Sequence, residues 1–403
     1  MKGTKLRNFI GNNKWIFSIY LVLALITSFQ AIISERNSEE EGTLEYNNYT
    51  IFKSSYYHLK QQQDLYQAYP QEYWDLYKYT PTFAAVFSVF AVFPDWIGLT
   101  LWLILNTVIL VFAIYSLPSI DNYKKGLILV IVIIELVTSI QNEQSNPLIA
   151  GLIILAFSFL EKRNYLWASL FIMSTVFIKL FGIVALVLFL FYPQKWKLAL
   201  YSIMWFIVLS LLPFLFVDWV QYAFLLESFW HMLSNDFSTS YGYSVMGWLN
   251  TWFNLDVNKN IIVLFGALFF MVPFASVKVR NSMHGKLLIL SSLLIWLVIF
   301  NHKAESPTFI IAMLGVAIWF VISPKNILNT SLFLLAVLFT MLSPTDIFPR
   351  EFRETIIKPF VLKGVPCILI WIKIQFDLFY PNKDLPDILA LDKEKKLAIP
   401  AVK

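Results

Sequence analysis

Cysteine is almost absent from this chain. The single Cys367 can form no internal disulfide and cannot by itself supply a thiolate metal cluster. Soluble-enzyme signatures are missing as well: there is no P-loop, no dinucleotide-binding glycine pattern, no His-Glu-x-x-His and no Gly-x-Ser-x-Gly. Charge is scarce, at 14% of residues against 58% hydrophobic, and mean hydropathy is +0.65. Such values exclude an ordinary soluble domain. Alternating apolar and polar residues are also lacking, which excludes a membrane β-barrel. No clear internal repeat is visible.

What is present is a series of long apolar runs, such as residues 101–117 and 127–140, that recur to residue 377. Runs near ~20 residues are what a helix needs to cross a bilayer. Backbone groups in lipid must be satisfied internally, so the spans are expected to be helices. The chain therefore reads as an all-α polytopic membrane protein with about 12 transmembrane helices. Residues 1–380 form one membrane domain in this reading, and 381–403 a charged cytoplasmic tail. The net charge of +5 lies mostly in short loops and reads as topology, not nucleic-acid binding.

Lys2, Lys5, Arg7 and Lys14 precede the first span, residues 15–33, and place the N-terminus in the cytoplasm. The span is read as an anchor, since it is long and lacks a small-residue cleavage motif. Residues 34–81 form a long first extracytoplasmic loop. It holds Glu35, Glu39, Glu40, Glu41, Glu45, Asp64, Glu72 and Asp75, and is dense in aromatics from Tyr56 to Tyr79. That composition suits amphipathic segments at the outer interface. Residues 81–93 are apolar but short, as in a re-entrant segment. Lys124, Lys125, Lys162, Arg163, Lys195, Lys197, Lys278, Arg280, Lys286 and Lys325 then mark inner loops. Residues 141–147, 218–260, 301–307 and 344–354 fall outside. The region 164–192 crosses twice, with a break near Lys179. The polar clusters thus share the outer face, which argues for chemistry there.

Lys179 is the one charge in residues 171–190. An ionisable residue inside a membrane segment is costly and is a functional candidate by default. It suits a lipid phosphate; the plainer alternative is a lysine snorkelling to the interface. Glu135 invites the same argument, or else is a carboxylate hydrated at the boundary, and it is left out of the site. Residues 143–147, Glu-Gln-Ser-Asn-Pro, offer amides for sugar hydroxyls, or form only a capped hairpin turn. His302, Lys303 and Glu305 bring together a base, a cation and a carboxylate, or form a solvated loop with local ion pairs. His58 and His231 read as interfacial. His284 lies among inner positive charges.

Over roughly residues 45–325 the chain resembles the GT-C membrane glycosyltransferases of family 87, the polyprenol-phosphate-mannose-dependent α-mannosyltransferase-like group. The resemblance rests on Asp64-Leu65-Tyr66, on Tyr79-Thr80-Pro81, on Glu143-Gln144-Ser145-Asn146-Pro147-Leu148 and on the lone helix-breaking Lys179. Tyr243-Ser244-Val245-Met246-Gly247 and residues 301–307 add to it. Order, spacing and outer-face placement carry it more than any single motif. One departure matters. Asn48, in Asn48-Tyr49-Thr50-Ile51-Phe52, stands where the family has its catalytic Asp, and an amide cannot act as a general base.

The resemblance implies a GT-C-like bundle and an inverting hexosyl transfer, mannosyl first, on the extracytoplasmic side of a bacterial cytoplasmic membrane. The partners it implies are a polyprenyl-phosphate sugar donor, a lipid or glycan acceptor and membrane lipids. No cofactor and no tightly bound metal are expected. Lys179 and Lys303 are the candidates for the donor phosphate. Glu305 or His302 is the candidate base, with Asp64 next, and Glu45 or Glu143 are further choices. Asn48, Tyr79, Glu143, Gln144, Asn146 and Ser244 are expected to bind sugar or acceptor. A member that binds lipid-linked sugar without transferring it is the alternative that Asn48 leaves open. A lipid-linked polysaccharide polymerase or ligase, or a lipid-sugar flippase, are the competing classes.

Overall fold

The computed structural model describes residues 2–37, 46–235 and 241–380. Glu39, Glu40, Glu41, Glu45, part of the second outer segment (236–240) and the tail 381–403 lie outside the described residues. Among the described residues every regular element is helical. The chain divides into two compact units. The first comprises residues 1–116, 135–189 and 194–239, and the second residues 117–134, 190–193 and 240–403.

The first unit contains α1 (Lys2–Ile10), α2 (Asn13–Asn37), α3 (Asn47–Lys60), α4 (Pro81–Ala91) and α5 (Asp95–Ser116). The end of α6 (Asn122–Gln141) belongs to it, followed by α7 (Asn146–Glu161), α8 (Tyr165–Ile178), a 3-10 helix (Leu180–Phe191), α9 (Lys195–Leu211) and α10 (Trp219–Asn235). α2 packs on α5, α5 on α7, α7 on α8 and α8 on α9. Within residues 34–81 the structure forms α3. It buries Tyr49, Phe52, Ser55, His58 and Leu59 and packs on α4. His58 is buried, stacks on Tyr69 with centroids 3.9 Å apart and meets Glu72 at 3.1 Å.

An aromatic cluster ties this loop to the bundle. Phe52 lies edge-on to Tyr79 at 4.8 Å and to Trp102 at 5.9 Å, and Tyr79 stacks on Phe83 at 4.7 Å. Offset and edge-to-face pairs of this kind add ~0.5–1.5 kcal/mol each beyond their buried area. Lys53 pairs with Asp95 and joins α3 to the start of α5. Thr80 caps α4 by accepting from Phe83 N at 3.3 Å, with Pro81 at the first turn where its missing N–H costs nothing.

The second unit contains the start of α6, then α11 (Val245–Phe253), α12 (Lys259–Met271), α13 (Val277–Asn281) and α14 (Met283–Ile299). It ends with α15 (Phe309–Ile322), α16 (Ile327–Leu335), α17 (Arg350–Phe352) and α18 (Val365–Phe379). α14 and α15 are apolar almost all round and pair as its core, which matches burial on every side. Gln375 on α18 donates to Ser292 on α14 at 2.6 Å. Lys363 is buried, donates to the Thr340 carbonyl at 2.9 Å and lies 5.2 Å from the Phe309 ring centroid.

Among the described residues three stretches are long and apolar enough to cross a bilayer: Asn13–Ser34, Asp95–Ser116 and Lys195–Leu215. Several shorter apolar helices, such as Asn146–Glu161 and Met283–Ile299, accompany them. Leu200, Ile203, Phe206, Ile207 and Leu211 of α9 are exposed, as a lipid-facing stripe requires.

α7 has an unusual start. Ser145 makes no side-chain cap, and Leu148 N instead donates to Oδ1 of Asn106 on α5, at 3.1 Å. Asn106 is fully buried, and its Nδ2 donates to Trp102 O at 3.0 Å. Asn106→Leu strips a buried N–H of its acceptor, a loss of about 1–3 kcal/mol. Thermal unfolding of the purified variant should show a lower Tm than wild type. An unchanged Tm would mean that α7 does not rely on this contact.

Candidate functional site

α8 ends at Ile178, and Lys179 is extended (φ −138°, ψ 129°) before the 3-10 helix begins. The expected break therefore falls on the lysine itself. Gly182 allows the tight return: a Cβ there would lie 2.5 Å from Thr175 Oγ1 and 2.6 Å from its carbonyl carbon. The break frees Lys179 to project sideways. Its Nζ sits 3.4 Å from both Gln144 Oε1 and Asn146 Oδ1, and 5.1 Å from the Tyr79 ring centroid. Tyr79 OH donates to Gln144 Oε1 at 3.4 Å and accepts from Ser145 Oγ at 3.3 Å. Thr80 donates to the Phe177 carbonyl and fastens the same corner.

Three distant segments thus converge: 79–80, 144–146 and 177–179. Lys179 is half-buried, and the partners named here are neutral. Contacts of 3.4 Å exceed the usual ~2.7–3.2 Å range and hold the ammonium weakly. An anion arriving here would offer it shorter, charge-assisted hydrogen bonds.

The 143–148 turn is braced from outside. Glu143 is buried and adopts φ +47°, a conformation uncommon for a residue with a Cβ. Its carbonyl accepts from Trp102 Nε1 at 2.7 Å. Asn48 Nδ2 donates to the Asn142 carbonyl at 3.0 Å, so Asn48 supports the turn's backbone. Trp102 and Asn106, one helical turn apart on α5, belong to no motif of the sequence. The available signal was an amide inside the apolar run 101–117. Glu135 has no exposed surface, so it is not a carboxylate hydrated at the boundary.

Asp64 lies in the same unit. Both its carboxylate oxygens are 2.8 Å from Ser228 Oγ on α10, and Oδ1 also accepts from Tyr66 N at 3.0 Å. Tyr66 OH in turn donates to the Tyr79 carbonyl at 3.0 Å. One tyrosine therefore connects the surroundings of Asp64 to the residue beneath Lys179.

The second unit holds the other candidates. Tyr243 N donates to the Ala304 carbonyl at 3.1 Å and joins the 241–247 turn to residues 301–307. Gly242 (φ +53°) permits that approach, since a Cβ would lie 2.7 Å from Ala304 O and 3.0 Å from His302 O. Ser244 is buried and caps α11: its Oγ accepts from Gly247 N at 3.2 Å and donates to Tyr241 O at 2.5 Å. His302 and Lys303 are half-buried, and Glu305 is exposed. Burial, and then the positive charge of Lys259, push the His302 pKa below its ordinary value. Its imidazole therefore stays neutral, and able to accept a proton, further into the acid range than a solvated histidine. Among the described residues no three His, Cys, Asp or Glu side chains converge on a possible metal position.

No curated protein matches the chain. The profile of glycosyltransferase family 87 matches residues 77–344, well over half of it. The match takes in Tyr79, the 143–148 turn, Lys179, Ser244 and the 301–307 loop, and begins after Asn48 and Asp64. The chain belongs to glycosyltransferase family 87 and is a membrane glycosyltransferase.

Proposed function

We propose that the protein transfers a hexose, mannose first, from a polyprenyl-phosphate donor to a lipid or glycan acceptor. The reaction is placed on the outer face of a bacterial cytoplasmic membrane, with both chain termini in the cytoplasm. The observation that carries this reading is the Lys179 ammonium, held at a helix break by two amide oxygens and a tyrosine ring. A lipid phosphate is the anion that a cation at such a break suits, because its chain stays in the bilayer while its head reaches the boundary.

Inverting transfer is a single displacement. The acceptor oxygen attacks the anomeric carbon, the bond from that carbon to the phosphate oxygen breaks, and the leaving polyprenyl phosphate takes the electron pair. Lys179 stabilises the charge that grows on the phosphate, with Lys303 as second candidate. Gln144, Asn146 and Tyr79 orient the sugar, and Asn48 and Glu143 act one step back by shaping the turn. A base removes the acceptor proton as the bond forms. His302 is one choice, with burial and then Lys259 pushing its pKa below the ordinary value. Glu305 and Asp64 are the other two choices.

The test uses purified protein in lipid and radiolabelled polyprenyl-phosphate mannose. Lys179→Ala should abolish donor binding. Glu305→Gln should keep donor binding while turnover falls, by up to the ~10²–10⁴-fold typical of general-base loss if Glu305 is the base. Full transfer by both variants contradicts the assignment.

The pH profile separates the bases. With His302 as base, kcat falls as pH drops through its lowered pKa, because the protonated ring cannot accept a proton. In His302→Gln that acid limb should vanish along with most of the rate. An acid limb that persists in His302→Gln with the rate intact assigns the base to a carboxylate.

A further inference from the structure

The first unit contains a cavity of about 350 Å³ lined by Asp64, Tyr66, Gln67, Leu76, Ser228, His231, Met232 and Asn235. That lies near the lower end of the ~300–1,000 Å³ range of small-molecule sites, enough for one sugar ring. We infer that this cavity is the subsite for the acceptor, and that it takes a neutral, hydroxyl-rich ring, the glycosyl unit that receives the transferred sugar.

The hydrogen-bond inventory points there. A carboxylate offers about four acceptor positions. Ser228 lies 2.8 Å from both oxygens of Asp64, but its single hydroxyl proton serves one at a time. Tyr66 N fills a second position at 3.0 Å. Two positions stay open for ligand hydroxyls. Gln67 uses one amide hydrogen on Tyr69 OH at 2.8 Å, and Asn235 Nδ2 donates to the His231 ring, which leaves both amide carbonyls to accept. Leu76, Met232 and the Tyr66 ring supply apolar surface. A pyranose has this dual character, with polar edges and an apolar C–H face.

Other ligand classes fit less well. Among the described residues no lysine or arginine lines the cavity, and Asp64 is negative, so a phosphate or carboxylate ligand would be repelled. Asp64 is the one carboxylate among the described lining residues, which is too few for a hard cation. An apolar ligand would strip water from Asp64 without replacing it.

Position supports the acceptor role. Tyr66 lines the cavity and donates to the Tyr79 carbonyl, and the Tyr79 ring lies under Lys179. The two sites thus share a tyrosine pair. That acceptor role rests on the polyprenyl-phosphate donor reading above, whereas binding of a sugar ring does not.

The experiment measures binding of methyl α-D-mannopyranoside, methyl α-D-glucopyranoside and methyl β-D-galactopyranoside to the full chain in nanodiscs, by saturation-transfer NMR. His231, Asn235 and Gln67 are exposed, so substitutions there spare the core. Wild type should bind at least one glycoside. Asn235→Ala and His231→Ala should weaken it by about tenfold or more, and Gln67→Trp, which fills the cavity, should abolish it. Two results overturn the inference: no glycoside binds wild type, or one binds and these variants hold it as tightly as wild type does. Binding of polyprenyl-phosphate mannose to wild type is read in parallel. Its absence would remove the donor reading and leave the glycoside result standing by itself.

Discussion

The site depends on how one lysine is held. A cation in an apolar segment is tolerated only where the backbone opens and polar groups gather around it. Lys179 meets both conditions: its backbone leaves the helix, and Gln144, Asn146 and Tyr79 surround its ammonium. Each of those groups is itself fixed. Tyr79 is packed into the Phe52 and Phe83 cluster, and the 144–146 turn hangs on Trp102, Asn106 and Asn48. Such support keeps the polar groups from relaxing away from the position that a phosphate would occupy.

Much of this was legible because lipid suppresses polar residues. In a chain with 14% charge, a polar cluster stands out without any alignment. Lys179 and the 143–147 cluster were visible for that reason, and they meet in space. The same contrast exposed 301–307, which the second unit joins to the 241–247 turn. The division of labour within a cluster was not legible. Asn48 reads as a group for a ligand, yet its described contact braces the turn. Composition cannot tell a side chain that faces a ligand from one that holds a neighbour's carbonyl. Asn106 and Trp102 show the converse: each looked like part of an apolar span and each anchors the site.

The family match begins after Asn48, so what Asn48 does is read from this chain's own contacts. Its amide donates to the Asn142 carbonyl, a task that an ionised carboxylate, being acceptor-only, cannot perform. An amide cannot serve as a general base, so the search for one turns elsewhere. His302, with its neutral form favoured by burial and by Lys259, is one answer. Asp64, clasped by Ser228 beside an open cavity, is another. The family profile starts beyond Asp64, so that answer rests on the geometry of this chain alone.

The most direct measurement is a cryo-EM structure of the protein with polyprenyl phosphate bound in nanodiscs. The account predicts the phosphate within hydrogen-bonding distance of Lys179 Nζ, displacing the weak contacts to Gln144 and Asn146. A phosphate bound elsewhere, with Lys179 still resting on those two amides, would contradict it.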